Sequence, residues 1–189
     1  HRANTRRILN IVGRMKNLAD LKILDIGCAF GFLLDEARTL RACDGYGIEI
    51  SRHAREYAAR ELGLTNISED DEMRHVESNF FDVVFLIGTL EHLVSPKETL
   101  LNIGRLLKKD GVLVITTIDT KGIIPLYSIK PPEHIFYFNH NNITLLLNKT
   151  GFRGIFKKPY FVNYDLHDLF YRLGEFLSIS FLKQFSRVI

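Results

Sequence analysis

Leu21-Lys22-Ile23-Leu24-Asp25-Ile26-Gly27-Cys28-Ala29-Phe30-Gly31-Phe32-Leu33-Leu34 is the stretch that decides how this chain is read. Residues 22–26 form a short apolar run with β-branched members, as expected of a strand buried on both faces. From Phe30 to about Arg41 the spacing turns helical, with Phe30, Leu33, Leu34 and Ala37 on one stripe. A glycine-bearing turn joins the two, which makes a strand–loop–helix unit of the kind that holds a nucleotide. Gly27 and Gly31 have no Cβ, so the backbone can take unusual angles and come close to a ligand. The first N–H groups of the helix lack internal partners and suit a carboxylate or phosphate. The dinucleotide fingerprint G-x-G-x-x-G fits poorly, because its second and third glycines would fall on Ala29 and Phe32.

What fits is an acid two residues before the first glycine, followed by small residues at alternate positions: Asp25, Gly27, Ala29, Gly31. This resembles the first motif of class I S-adenosylmethionine (SAM)-dependent methyltransferases, written D-x-G-x-G-x-G, with Ala29 at the middle glycine. The resemblance implies that the acid orders the loop and lies near the methionine part of SAM. Further on, Gly45 to Ile50 reads as a second strand, and Ser51 caps a helix that Gly63 ends. Glu49 therefore sits at a strand's carboxyl end, about 20 residues past the loop, where a carboxylate accepts from ribose hydroxyls. Residues 66–70 read as a third strand. The resemblance then places Asp70, or its neighbour Asp71, against the adenine amino group, with Met73 as an apolar wall. Cys28, Phe32, Ile50 and Gly88 complete the cofactor-binding set that it implies.

Residues 79–87 form a near-continuous apolar run, expected at the centre of a parallel sheet. Gly88-Thr-Leu-Glu91-His92 follows. Ser95-Pro96-Lys-Glu98 predicts a capping box with proline at the first helical position. Lys108 and Lys109 suit that helix's C-terminal dipole, and Asp110-Gly111 predicts a turn into a fifth strand over 112–117. Phe81-Asp-Val, Leu90-Glu-His and Leu106-Leu-Lys-Lys-Asp-Gly111 all match the methyltransferase pattern, so the resemblance runs from about Leu21 to Thr117. His92 lies just past the central strand, as a general base for a hydroxyl nucleophile or as a wall of the pocket. In the quinone-biosynthesis branch of the family a glutamate stands three residues before the Glu-His pair, and a divalent metal is associated with that acidic site. Here the position is Gly88, so no metal is expected.

Residues 118–132 have no period and carry Gly122 and three prolines, which marks a lid or binding loop. His134, in Pro132-Glu-His-Ile-Phe-Tyr-Phe138-Asn139, is a second general-base candidate. That stretch, with the helix over 142–149 and Gly151-Phe152, resembles small-molecule O-methyltransferases of the same superfamily. A sixth strand is predicted over 151–162. Residues 2–20 predict a basic amphipathic cap helix, and 164–185 an apolar-striped helix that packs on the domain, meets a second copy or touches a membrane surface.

At 189 residues, 46% hydrophobic and 25% charged, the chain has the size and composition of one globular domain. A net charge of +3, with no dense basic stripe, does not point to nucleic acid. Two cysteines without metal-ligand spacing fit a reducing, cytoplasmic setting, and no apolar run reaches bilayer length. The chain opens on His1, so an upstream continuation is expected. The expectation is therefore an α/β protein, a doubly wound, mostly parallel Rossmann-like sheet of six to seven strands with helices on both faces. One SAM-dependent methyltransferase domain spans 1–189, with a cap helix over 1–20, a lid and substrate loop over 118–141 and a helical segment over 164–189. Its expected chemistry is methyl transfer to a small molecule, at a hydroxyl oxygen, as a monomer or homodimer. A SAM-binding partner subunit without activity and an NAD-dependent oxidoreductase are the alternatives.

Overall fold

The computed structural model describes residues 2–41, 43–69, 76–120 and 133–158. In chain order the elements are α1 (Arg2–Gly13), β1 (Lys22–Ile26), α2 (Phe32–Arg41), β2 (Asp44–Ile48), α3 (Arg52–Leu62), β3 (Ile67–Ser68), β4 (Phe81–Ile87), a 3₁₀ turn (Leu90–His92), α4 (Pro96–Leu106), β5 (Leu107–Thr116) and α5 (His140–Lys149). The strands form one sheet in the order β3-β2-β1-β4-β5, and every pairing is parallel. The order reverses between β1 and β4, which puts a ligand crevice outside the carboxyl ends of these strands. The sheet has five strands among the described residues. Residues 151–158 carry no strand, so the predicted sixth is absent there. Asp70, Asp71, Met73, most of the predicted lid and the predicted helix over 164–185 lie outside the described residues. The chain divides into two units, His1–Lys157 and Lys158–Ile189.

The central strands are apolar because helices cover both of their faces. Ile23, Leu24, Val83, Val84, Phe85 and Leu86 are fully buried, and Leu100, Ile103 and Leu106 of α4 share one core cluster with Leu24, Val84 and Leu86. α3 is set by local chemistry. The Ser51 side chain accepts from the Ala54 N–H at its start, and Gly63 takes a left-handed conformation at its end. α1 is fixed by charge as well as by Ile8, Leu9 and Val12. Glu36 of α2, 2% exposed, accepts from Arg2 Nη1 at 2.8 Å and from Arg6 Nε at 2.7 Å. The basic residues at the start of the cap helix thus turn inward onto α2.

Several local expectations gave way to packing. α2 begins at Phe32, leaving Phe30 in the loop, 37% exposed, with its ring edge-on to Tyr57 at 5.0 Å and to His53 at 6.0 Å. Ser95 makes no side-chain cap, although Pro96 does open α4. Lys108 does not cap α4; its Nζ lies 2.9 Å from both carboxylate oxygens of Asp82. β5 begins at Leu107, which pairs with Phe81, and a register shift absorbs Asp110-Gly111 before Val112 pairs with Val83. The predicted turn is a bulge inside a strand. Among the described residues no helix is long and apolar enough to cross a membrane.

Because Phe85 is fully buried between helical layers, Phe85→Ala should cost about 3–5 kcal/mol in chemical denaturation, with α-helical circular dichroism retained at low denaturant.

Candidate active site

β1 ends at Ile26, and the next five residues wind tightly. Gly27, Ala29 and Gly31 all take positive φ, at +76°, +47° and +79°. Gly27 N and Cys28 N both donate to Ile48 O, at 2.8 and 3.1 Å, so the loop is tied to the end of β2. Gly31 N donates to Cys28 O at 2.9 Å and closes the turn. The glycines are required here by protein atoms. A Cβ on Gly27 would lie 2.5 Å from Thr89 Oγ1, and one on Gly31 would lie 2.7 Å from Leu64 Cδ1. Thr89 is a site residue that the sequence reading passed over. Its hydroxyl donates to Ile26 O at 3.0 Å and binds the segment after β4 to the end of β1.

Glu49, just past β2, accepts from Ala29 N at 2.9 Å and from Ser51 N at 2.7 Å. Its carboxylate is thereby fixed over the loop, with lone pairs left on each oxygen. Asp25 is 3% exposed, and its Oδ1 has no hydrogen-bond partner among the described residues. Burial, and then the nearby Glu49 charge, push its carboxyl up to about 7. Cys28 is also buried, and burial drives its thiol far above the usual range, so it is no thiolate nucleophile. Ile50 is 81% exposed beside Glu49, and Gly88, at φ +63°, has open space around its α-carbon. Phe32 opens α2, with the Arg2 guanidinium 5.3 Å from its ring centroid.

A second group of residues gathers beyond β4. Glu91 and His92 lie in the 3₁₀ turn, and the segment from Glu133 is bound directly to them. Ile135 N and Phe136 N both donate to the Glu91 carbonyl, at 2.9 and 3.1 Å. His92 Nδ1 lies 2.6 Å from Glu133 O. A carbonyl can only accept, so Nδ1 carries a proton and Nε2 is the ring nitrogen left to act as an acceptor. Phe138 is held at its own end, where Thr120 donates to its carbonyl through both N and Oγ1. His134 is thereby brought against His92, with ring centroids 4.9 Å apart and planes at 70°. Glu91 is 4% exposed, and its Oε2 accepts from Thr117 Oγ1 at 3.0 Å. The structure therefore places the two predicted histidines side by side, while Asp25, Gly27, Cys28, Ala29, Gly31 and Glu49 share one loop cluster. The parts that sequence reasoning missed, Thr89 and Thr117, act through contacts that no local spacing announces.

The sequence profile of a family described as a methyltransferase domain matches residues 1–155. Among curated proteins, the ubiquinone biosynthesis O-methyltransferase of Haemophilus ducreyi is 34% identical over 129 residues, covering 63% of this chain and 54% of that protein. Its counterpart from Neisseria meningitidis serogroup A is 26% identical over 145 residues, covering 73% and 60%. The chain thus spans between half and two thirds of the length of these relatives. A SAM-dependent methyltransferase from Archaeoglobus fulgidus superposes with a TM-score of 0.68 at 20% identity, over 79% of this chain and 68% of that one. The fold is that of the SAM-dependent methyltransferases.

Ionisation of Asp25 is penalised in the folded chain and free in the unfolded one. Its contribution to stability is fully present below the ordinary 3.8 and is lost as the pH rises through about 7. Asp25→Asn, which cannot ionise, should flatten that part of the curve in denaturation midpoints measured between pH 4 and 8.

Proposed function

The chain belongs to the methyltransferase-domain family, and from that premise we propose that it transfers a methyl group from SAM to a hydroxyl oxygen of a small-molecule acceptor. SAM, when bound, supplies an electrophilic sulfonium methyl. The residues present fit it. Asp25 keeps a buried oxygen with no partner among the described residues, and Glu49 is fixed by two backbone N–H groups at the end of β2. These two carboxyls would hold the cofactor's donor groups, with Gly27, Ala29 and Gly31 shaping the backbone around them and Ile50 offering an exposed apolar surface. Asp70 and Asp71 remain proposed partners of the adenine amine, outside the described residues.

The observation that carries the acceptor side is the hydrogen bond from His92 Nδ1 to Glu133 O. It assigns Nδ1 as the donor and leaves Nε2 as the nitrogen that would accept a proton or orient a hydroxyl. His134 stands against the same ring and shares the acceptor side. Neither histidine is needed to hold the cofactor loop, whose hydrogen bonds run among residues 27–31, Ile48 and Glu49. Positive charge disappears from sulfur as the methyl moves, so positioning and water exclusion govern the rate more than acid strength does. The curated relatives named above, O-methyltransferases by name, favour oxygen as the acceptor atom.

The test is transfer of a labelled methyl from SAM to a panel of phenolic and aliphatic hydroxyl acceptors. His92→Ala should lower kcat by roughly 10²–10⁴-fold while S-adenosylhomocysteine binding is unchanged. Full turnover in that folded variant would remove His92 from the chemistry.

A further inference from the structure

Arg55 lies in the first turn of α3, and its side chain reaches back over the turn that links β2 to that helix. Its Nη1 donates to the carbonyls of two consecutive residues, Glu49 at 2.7 Å and Ile50 at 2.9 Å. Its Nη2 lies 2.6 Å from Glu69 Oε2, just past the end of β3. Resting on the cofactor reading above, we propose that Arg55 is a positioning residue for the nucleoside half of the cofactor. It sets the peptide planes at 49–50 and so aims the Glu49 carboxylate at the ribose.

Three features support this role. The first is that packing does not hold the turn. Ile50 is 81% exposed and Ser51 is exposed as well. Hydrogen bonds hold it instead. Glu49 Oε1 accepts from Ser51 N at 2.7 Å, the Ser51 hydroxyl accepts from Ala54 N at 3.3 Å, and Ser51 O accepts from Arg55 N at 3.0 Å. The Arg55 guanidinium closes the ring by returning to Glu49 O and Ile50 O.

The second feature is the placement of the charge. A cation in the first turn opposes the helix dipole, so helix formation does not account for Arg55. Arg52, in the same turn, points outward with its side chain 85% exposed and pairs with Glu56 one turn on. The Arg55 side chain is 19% exposed and turns to backbone acceptors. One guanidinium nitrogen carries two N–H groups in a fixed plane and can serve both carbonyls at once, which a lysine ammonium on its flexible stem does less well. The third feature is the link to β3. Glu49 N donates to Ser68 O at 2.9 Å, and the Arg55–Glu69 pair adds a second tie to the same strand exit. Glu69 is 75% exposed, so that ion pair adds little by itself and the two carbonyl contacts carry the effect. Because Ser51 N and the Glu49 carboxylate are bonded to each other, a shift of this turn moves both together. Loss of Arg55 would therefore misplace the carboxylate without releasing it.

The experiment is calorimetric titration of the wild type and of Arg55→Gln with S-adenosylhomocysteine and with methylthioadenosine, which keeps the nucleoside half and lacks the amino-acid half. Both dissociation constants should rise by a similar factor, roughly 10–100-fold, in Arg55→Gln. Arg55→Lys, which keeps the charge and loses the fork, should fall between that variant and the wild type. In a Glu49→Gln background the same Arg55→Gln change should cost less than about three-fold, because the carboxylate that Arg55 aims is gone. A residue that only stabilised the fold would show no such dependence on Glu49. Unchanged affinity in Arg55→Gln with a lowered denaturation midpoint, or equal losses in both backgrounds, would overturn the proposal and leave the cofactor reading standing. A wild type that fails to bind S-adenosylhomocysteine would overturn both.

Discussion

Two hydrogen bonds to one carbonyl organise this molecule: Gly27 N and Cys28 N both donate to Ile48 O. They join the exit of β1 to the exit of β2 and force the intervening backbone to wind, with three positive-φ residues in five positions. Such winding is affordable because β1 is paired on both sides and buried on both faces, so its end cannot drift. Thr89 adds a third strand to the junction, since its hydroxyl bonds Ile26 O and its side chain fills the volume that Gly27 leaves. The crevice is therefore built from strand ends that are mutually fixed, and Glu49 inherits its position from them.

The acceptor side follows a similar logic with different parts. The Glu91 carbonyl receives two N–H groups from the 135–136 backbone, and the Glu133 carbonyl receives His92. Each segment thereby orients the other, and neither histidine could be placed by its own local structure. The buried Glu91 carboxylate carries a desolvation cost that its hydrogen bond from Thr117 Oγ1 offsets in part.

The sequence disclosed what depends on neighbours along the chain. Asp25, Gly27 and Gly31 announce the turn, Ser51 and Gly63 bracket α3, and the apolar run over 81–87 marks the central strand. What it could not disclose depends on partners far away. Lys108 reads as a helix-capping charge until Asp82 is seen beside it, and Asp110-Gly111 reads as a turn until the register of β4 makes it a bulge. The helical stripe predicted Phe30 inside α2, but the loop keeps it and sets it edge-on to Tyr57. Ser95-Pro96-Lys-Glu98 has the letters of a capping box without its hydrogen bond, because the Ser95 backbone departs from the required geometry. His92 and His134 were both legible as candidates, yet their contact, and the Glu91 carboxylate between them and Thr117, belong to tertiary structure.

The central claim is that the Asp25–Gly31 loop and Glu49 form a site for SAM. Calorimetric titration with S-adenosylhomocysteine, beside NAD and NADH, tests it most directly. Micromolar binding of the nucleoside sulfide with no heat from either dinucleotide is the predicted result. Binding of NAD without binding of S-adenosylhomocysteine would contradict the account at its foundation.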